Sequence, residues 1–428
     1  MFTRILKGLI VLAPIAYLGG CSSPMPCDPS SELCASNRPI TRAGENRPLA
    51  ADVLRQQAPP PAGGVVAPVI PPAQVTTMPI DTPGAPPLAQ PPGKVTRIGL
   101  LLPLGSEALR GPAEAVRAGF MAAYERDRDG FVVNIIETGE GAEDALDAYM
   151  AAIKQNDMIV GPLARSAVEA VADSGAVSVP TIALNQFDSV SARRRLPDKL
   201  LAIGLSNEDE ARQVAQWAAA DHPKSQALIL SGSNPWQRRL AAAFAARWRA
   251  LGNSSQLVEL ASSSGYLLET DLVALTARVQ AEPPALLFAA LDAAQLRQVR
   301  NHLGPALPTY GASSINPGSD QRVAVAELEG IRLLDMPWQV QPDHPAVMTY
   351  PKRSASAAVA DLDRLYALGI DAFRIARELA LRPATPFEMD GVTGRLSVRF
   401  GQGPSRFERT ETGAVYQNGG FRLIPKRP

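Results

Sequence analysis

Chemistry in this 428-residue chain would have to come from three histidines, three cysteines and a large stock of carboxylates. His222, His302 and His344 stand far apart, and each adjoins a helix end or a proline, which fits surface or capping roles rather than a shared metal or proton relay. The chain contains no S-x-x-K, no H-E-x-x-H, no G-x-S-x-G elbow and no G-x-x-x-x-G-K phosphate loop. Two carboxylates could meet around a glycan, but no spacing selects a pair. Glu208, Asp209 and Glu210 follow Asn207 at the start of a predicted helix. There negative charge complements the helix dipole and Asn207 can cap, so a catalytic cluster is not needed to explain them. All three cysteines, Cys21, Cys27 and Cys34, precede residue 35. A catalytic cysteine, an iron–sulfur cluster and a structural zinc ribbon are thereby excluded from the globular part. Neither an enzyme nor a cofactor nor a metal is expected.

Binding residues are better approached through geometry. Ligands of open parallel sheets lie beyond the carboxyl ends of the strands, where loops and helix N-termini present amides. The corresponding loops hold Gly105, Ser106, Gly161, Pro162, Leu163, Asn185, Gln186 and Ser206. Gly161 and Pro162 could equally just make a turn, and Asn185 could serve backbone groups. Trp236 and Trp338, each after a proline, are candidate partner anchors or else helix-start and core residues.

The elements that must position these residues begin at Lys94. VTRIGLLLPL reads as a buried strand and Gly111 to Asp127 as a helix, and strand-length and helix-length segments then alternate as far as Ala312. Short apolar strands joined through helices require crossovers, so the class is α/β, with parallel sheets flanked by helices. Beyond Ala312 the rhythm breaks at GSD (Gly318 to Asp320), a strand-like stretch runs from Gly330 to Leu334, and a long helix is predicted from Ala360 to Leu381. That helix repeats Leu365, Leu368, Ala372, Ile375 and Leu379 by threes and fours. Near the end, MDGVTG supplies tight-turn chemistry, and Leu396, Val398 and Phe400 alternate with polar residues as in a half-buried strand.

The N-terminus has Arg4 and Lys7, the apolar run Leu9 to Leu18, and LGGC ending at Cys21, the order of a secretory signal; the run is too short to span a membrane. LGGC resembles a bacterial lipobox, in which the cysteine is lipidated. On that resemblance Cys21 is the anchor, and Ser22 favours the outer membrane, with the domain on its periplasmic face. Cys27 and Cys34 are close enough for a small local bridge in an oxidising compartment. Residues 22–93 read as a disordered linker, rich in Pro, Ala, Gly and Val between Ala58 and Gly93. Lysine plus arginine balance aspartate plus glutamate at 42 each, so no basic excess marks a nucleic-acid partner.

Several ordered stretches carry a family resemblance: IGLLLPL (Ile98 to Leu104), AVRAGFMAAY (Ala115 to Tyr124), IVGPL (Ile159 to Leu163), IALNQ (Ile182 to Gln186) and GLSNEDEAR (Gly204 to Arg212). They continue with LPTYGASS (Leu307 to Ser314), DMPW (Asp335 to Trp338), RLYALGIDAFRIA (Arg364 to Ala376) and DGVTGRLSV (Asp390 to Val398). Together they resemble the C-terminal domain of the penicillin-binding-protein activator lipoproteins, the LpoA-like family, itself similar to type I periplasmic binding proteins. The resemblance implies a two-lobed domain that docks on a bifunctional class A penicillin-binding protein and stimulates peptidoglycan synthesis. Longer family members carry a helical repeat domain where this chain has the Pro-rich linker.

The alternative is a periplasmic receptor whose interlobe cleft closes on an amino-acid-like solute or a wall fragment. An enzyme acting on wall glycan is a third class, for which no carboxylates can be nominated. The same resemblance implies three crossovers between lobes. The expected division is residues 1–21 as signal and lipobox, 22–93 as linker, and 94–428 as the binding domain. Lobe one would combine 94–204 with 312–381, and lobe two 205–311 with 382–428.

Overall fold

The computed structural model describes residues 95–187, 196–316, 318, 326–353 and 360–424. The signal and lipobox, the linker, all three cysteines and most of the GSD segment lie outside the described residues.

The first lobe is built on a five-stranded parallel sheet in the order β2-β1-β3-β4-β5: β1 (Thr96–Leu102), β2 (Phe131–Glu137), β3 (Met158–Val160), β4 (Thr181–Ala183) and β5 (Leu200–Ala202). Between these strands run α1 (Arg110–Arg126), α2 (Ala142–Ala152) and α3 (Arg165–Asp173). The central strands β1, β3 and β4 are largely buried because both faces are covered, whereas the edge strand β2 leaves Val132 and Ile135 exposed. Ile98, Leu100 and Leu102 of β1 enter the core that contains Val116 and Phe120 of α1, whereas Leu101 turns to the core containing Tyr149 of α2 and Val171 of α3.

The second lobe follows with α4 (Asn207–Asp221), β6 (Gln226–Gly232), α5 (Pro235–Ala250), β7 (Ser254–Leu260), a short hairpin of β8 (Ser262–Ser263) and β9 (Tyr266–Leu267), α6 (Glu269–Ala281), β10 (Leu286–Ala290), α7 (Ala293–Leu303), β11 (Thr309–Gly311) and β12 (Arg332–Asp335). Here too successive residues part to opposite faces: Ala227 and Ile229 of β6 meet α4 and α5, while Leu228 and Leu230 meet α6 and α7. Phe244 of α5 stacks on Phe288 of β10 with centroids 3.9 Å apart.

The chain then returns to the first lobe through α8 (Pro337–Val340), α9 (Pro345–Met348), α10 (Ala360–Leu381) and a three-stranded antiparallel sheet of β13 (Phe387–Asp390), β14 (Arg395–Arg399) and β15 (Arg406–Thr410). Leu365 and Leu368 of α10 join the core of Ile98 and Leu100, and Phe373 meets Phe120 edge-on at 5.3 Å. The described residues end in the second lobe, where β16 (Thr412–Gln417) pairs antiparallel with β12 and β17 (Gly420–Leu423) pairs with β16. The second sheet thus has the order β17-β16-β12-β11-β10-β6-β7.

This arrangement corrects the expected division at two places. Residues 312–381 do not all belong to the first lobe, because β12 pairs with β11 and β16 of the second sheet. Residues 382–428 do not all belong to the second, because Phe387, Val392, Leu396 and Val398 are buried in the first lobe's core. The carboxylate of Asp371 on α10 causes the second difference. It is buried and accepts the amides of Val392 at 3.1 Å and Thr393 at 2.8 Å and the Thr393 hydroxyl at 2.7 Å, which docks the DGVTG turn on α10. Helices α1 and α10 cross closely because each carries a glycine at the contact: a Cβ on Gly119 would lie 1.9 Å from the Tyr366 carbonyl oxygen, and one on Gly369 2.1 Å from that of Val116.

Candidate functional site

The loops at the carboxyl ends of the first sheet hold the residues nominated from the sequence, and most of their polar groups are engaged within the chain. Ser106 is buried; its hydroxyl accepts the Leu109 amide at 3.1 Å and lies 3.4 Å from Glu140. Gly105 is exposed, while Gly161, Pro162 and Leu163 are buried. Gly161 sits at φ +116°, and a Cβ there would be 2.0 Å from the Leu101 carbonyl oxygen, so its glycine is a turn and close-packing requirement. Asn185 donates to the Leu163 carbonyl at 3.0 Å and accepts the Gln186 amide at 2.9 Å. Ser206 caps α4 by accepting the Asp209 amide at 3.1 Å, one residue before the expected cap Asn207.

Just beyond that cap lies a junction that binds all three crossovers together. Glu210 in the first turn of α4, Asp335 at the end of β12 and Glu411 between β15 and β16 are all buried. Glu210 accepts the amide and hydroxyl of Ser313 at 3.0 and 2.6 Å and pairs with Arg409 at 3.2 Å. Arg409 also pairs with Glu411. Asp335 accepts Arg364 at 2.8 Å and Asn316 at 2.7 Å, and Arg364 also donates to the Ser313 carbonyl at 2.9 Å. Gln213 ties the passing strand to α4, donating to the Arg409 carbonyl at 3.1 Å and accepting the Glu411 amide at 3.1 Å.

Burial opposes charge on Arg364 and Arg409, yet their carboxylate partners hold both above the usual arginine value. Burial pushes the Glu411 carboxyl well above its ordinary range; Arg409 pulls it down, but Glu210 and Asp335 add to the rise. One Glu411 carboxyl oxygen, Oε2, is buried with no hydrogen-bond partner. Breaking one partner of such a buried pair leaves an uncompensated charge, so the junction resists opening.

Beside this junction a groove of about 570 Å³ runs between the lobes. Gln186 and Ser206 line it, but Gly105, Ser106, Gly161, Pro162, Leu163 and Asn185 do not. Its other walls are α4, the end of α5 and β15. A neighbouring cavity of about 460 Å³ lies between α4 and the strands β12 and β16.

Trp338 is not an interface anchor. It is buried in the first lobe's core, tilted on Tyr366 at 5.3 Å and covered by the Lys352 ammonium at 3.7 Å. Trp236 is half-buried and packs on the core between α4, α5 and the second sheet. His344 accepts the Ala346 amide at 3.2 Å to cap α9, and His222 ends α4 edge-on to Tyr310. No group of three or more His, Cys, Asp or Glu that could hold a metal occurs among the described residues.

Sequence reasoning missed the junction residues. Glu210 reads in the sequence as one of three helix-start acids that complement the helix dipole, and Arg409 and Glu411 lie 199 and 201 positions away, with no local pattern to connect them to it. The sharpest available signal was the placement of Asp335 and Arg364 in two of the ordered motifs.

Residues 88–419 match the family model described as "LppC putative lipoprotein". A Haemophilus ducreyi protein named penicillin-binding protein activator LpoA is 27% identical over 351 residues, covering 76% of this chain and 54% of that protein. The Vibrio cholerae protein of the same name, from strain O395, is 26% identical over 349 residues, 71% of this chain and 55% of its own. The chain thus spans about half the length of the curated relatives it matches. Among solved structures, a Chromobacterium violaceum protein described as a "putative branched-chain amino acid ABC transporter" is similar with TM-score 0.61 and 33% identity, over 75% of this chain and 100% of that one. The C-domain of Haemophilus influenzae LpoA, described as a regulator of PBP1A, aligns with TM-score 0.61 at 24% identity over 77% of this chain and 100% of its own, a likeness of fold. The family match and these folds agree with the two-lobed, type I periplasmic-binding-protein-like architecture, and the chain belongs to the LppC lipoprotein family.

Proposed function

We propose that this chain is an outer-membrane lipoprotein, anchored through Cys21, whose two-lobed domain docks on a bifunctional class A penicillin-binding protein and stimulates its peptidoglycan synthesis. The observation that carries this reading is the similarity, over about three quarters of the chain, to relatives named as activators of penicillin-binding proteins. The pinned junction supports it, because fixed lobes present a preformed surface to a protein partner. Activation then requires only that the domain bind the synthase's active conformation better than its inactive one. The chain itself performs no reaction in this reading. The test is glycan polymerisation by a purified class A synthase with and without the chain, together with co-retention on beads. A raised rate with retention is expected; an unchanged rate without retention would overturn the reading.

The Chromobacterium violaceum neighbour favours a second reading, a receptor for an amino-acid-like solute. Against it, Ser106 and Asn185 at the strand ends already spend their hydrogen bonds inside the chain. Calorimetry with leucine, other amino acids and wall fragments separates the two: saturable heat without any effect on a synthase would favour the receptor.

A further inference from the structure

The groove beside the junction has two features that match one kind of ligand. The first is charge. Arg212, Arg247 and Arg406 line it, as do Asp209 and Glu408. Both acids are already taken, Asp209 by Arg212 and Glu408 by Arg406 at 2.6 Å. Arg247, half-buried near the end of α5, has no carboxylate partner among the described residues. A guanidinium at the wall of a groove is a fork for a carboxylate arriving from outside.

The second feature is backbone. β15 is the last strand of its sheet, hydrogen-bonded to β14 on one side only. The carbonyl of Arg409 points out of the other edge, where Gln213 donates to it. Strand geometry repeats every two residues, so the amide and carbonyl of Phe407 turn the same way, and Phe407 lines the groove. An extended peptide can lie along such an edge, taking main-chain hydrogen bonds from it and specificity from flanking side chains. The groove volume, about 570 Å³, falls within the roughly 300–1,000 Å³ usual for bound ligands.

We infer that this groove binds an extended, acidic segment of the partner protein, which adds to the edge of β15 at Phe407, beside the positions that Gln213 occupies, and places a carboxylate on Arg247. The strand edge selects a regular peptide backbone over a free anion, and the unpaired guanidinium selects acidic side chains over basic ones. The identity of the partner as the synthase rests on the activator reading; the peptide recognition does not. Because the groove has walls from both lobes, a segment bound there would contact both at once.

The test uses the full-length chain in detergent and two probe peptides, acetyl-Glu-Val-Glu-Val-Glu-Val-amide and its lysine-for-glutamate counterpart. The acidic peptide should bind saturably and slow hydrogen exchange at the Phe407 amide, and the basic one should not bind. Arg247→Glu should weaken binding by about tenfold or more. Arg249→Glu, on the same helix but outside the groove, should leave binding unchanged. Equal binding of both peptides, no binding of either, or equal losses in the two variants would overturn the inference. In the synthase assay, wild-type stimulation lost in Arg247→Glu supports the groove as the docking site. Stimulation that survives in that variant overturns it. If wild type does not stimulate while the acidic peptide still binds through Arg247, the activator reading fails and the peptide site stands.

Discussion

Glu411, Glu210 and Asp335 share a buried junction with the two guanidiniums of Arg364 and Arg409. With all five ionised, one negative charge is left over, and burial together with the neighbouring carboxylates raises the Glu411 carboxyl above its ordinary range, which favours its protonated form. A carboxyl whose folded value lies above its unfolded value, near 4.5, contributes its full stability below 4.5 and loses it as pH climbs through the folded value. Urea stability of the wild-type chain should therefore fall above pH 4.5, by up to about 1.4 kcal/mol per pH unit from this group. Glu411→Gln, which imitates the protonated form, should remove that slope and be the more stable protein at high pH. A wild-type-minus-variant difference that stays flat from pH 4.5 to 8 would exclude the assignment. Little of this could be read from the chain. The helix-start acids of α4 look alike in sequence, and Glu208 and Asp209 do stay near the surface, while Glu210 alone is drawn inward by a strand that arrives 200 residues later.

Elements were far more legible than residues. Apolar runs and helical periods locate the alternation from Thr96 to Gly311 because the central strands are buried on both faces and the helices along one stripe. The C-terminal strands β15, β16 and β17 and the short β8–β9 hairpin lack such runs and are not legible in the sequence. Which sheet a strand joins was not legible either: Leu333 and Leu334 would be buried in both lobes alike, and only pairing with β11 and β16 decides. The α1–α10 crossing makes a sharper demand. Since a Cβ on Gly369 would meet the Val116 oxygen at 2.1 Å and the Phe120 nitrogen at 2.8 Å, the helices must separate to admit it. Gly369→Ala should lower the unfolding free energy by about 1–3 kcal/mol, the usual range for overpacking. Gly111, in α1 with nothing within 4 Å, should accept alanine without loss in the same urea titration. Equal effects at the two sites would show that the crossing does not depend on its glycine.

At the scale of the whole molecule, the proposed anchor and the folded domain are separable, because Cys21 lies more than seventy positions before β1. Cys21→Ser should release the chain from outer-membrane fractions while leaving its thermal unfolding unchanged. A variant that still sediments with those membranes in high salt would place the anchor elsewhere. The path of the chain between the lobes has a further consequence for how it is made. Strand β12 waits some eighty residues for β16, and Glu210 waits about two hundred for Arg409 and Glu411. A chain emerging N-terminus first, from a ribosome or through a translocation pore, can collapse its first sheet early, but it cannot close the second sheet or neutralise the junction until its last segment is out. Nascent chains interrupted before that point would keep an open strand edge and one buried carboxylate, that of Glu210, without its guanidinium, which marks them for chaperones and proteases and leaves finished molecules alone.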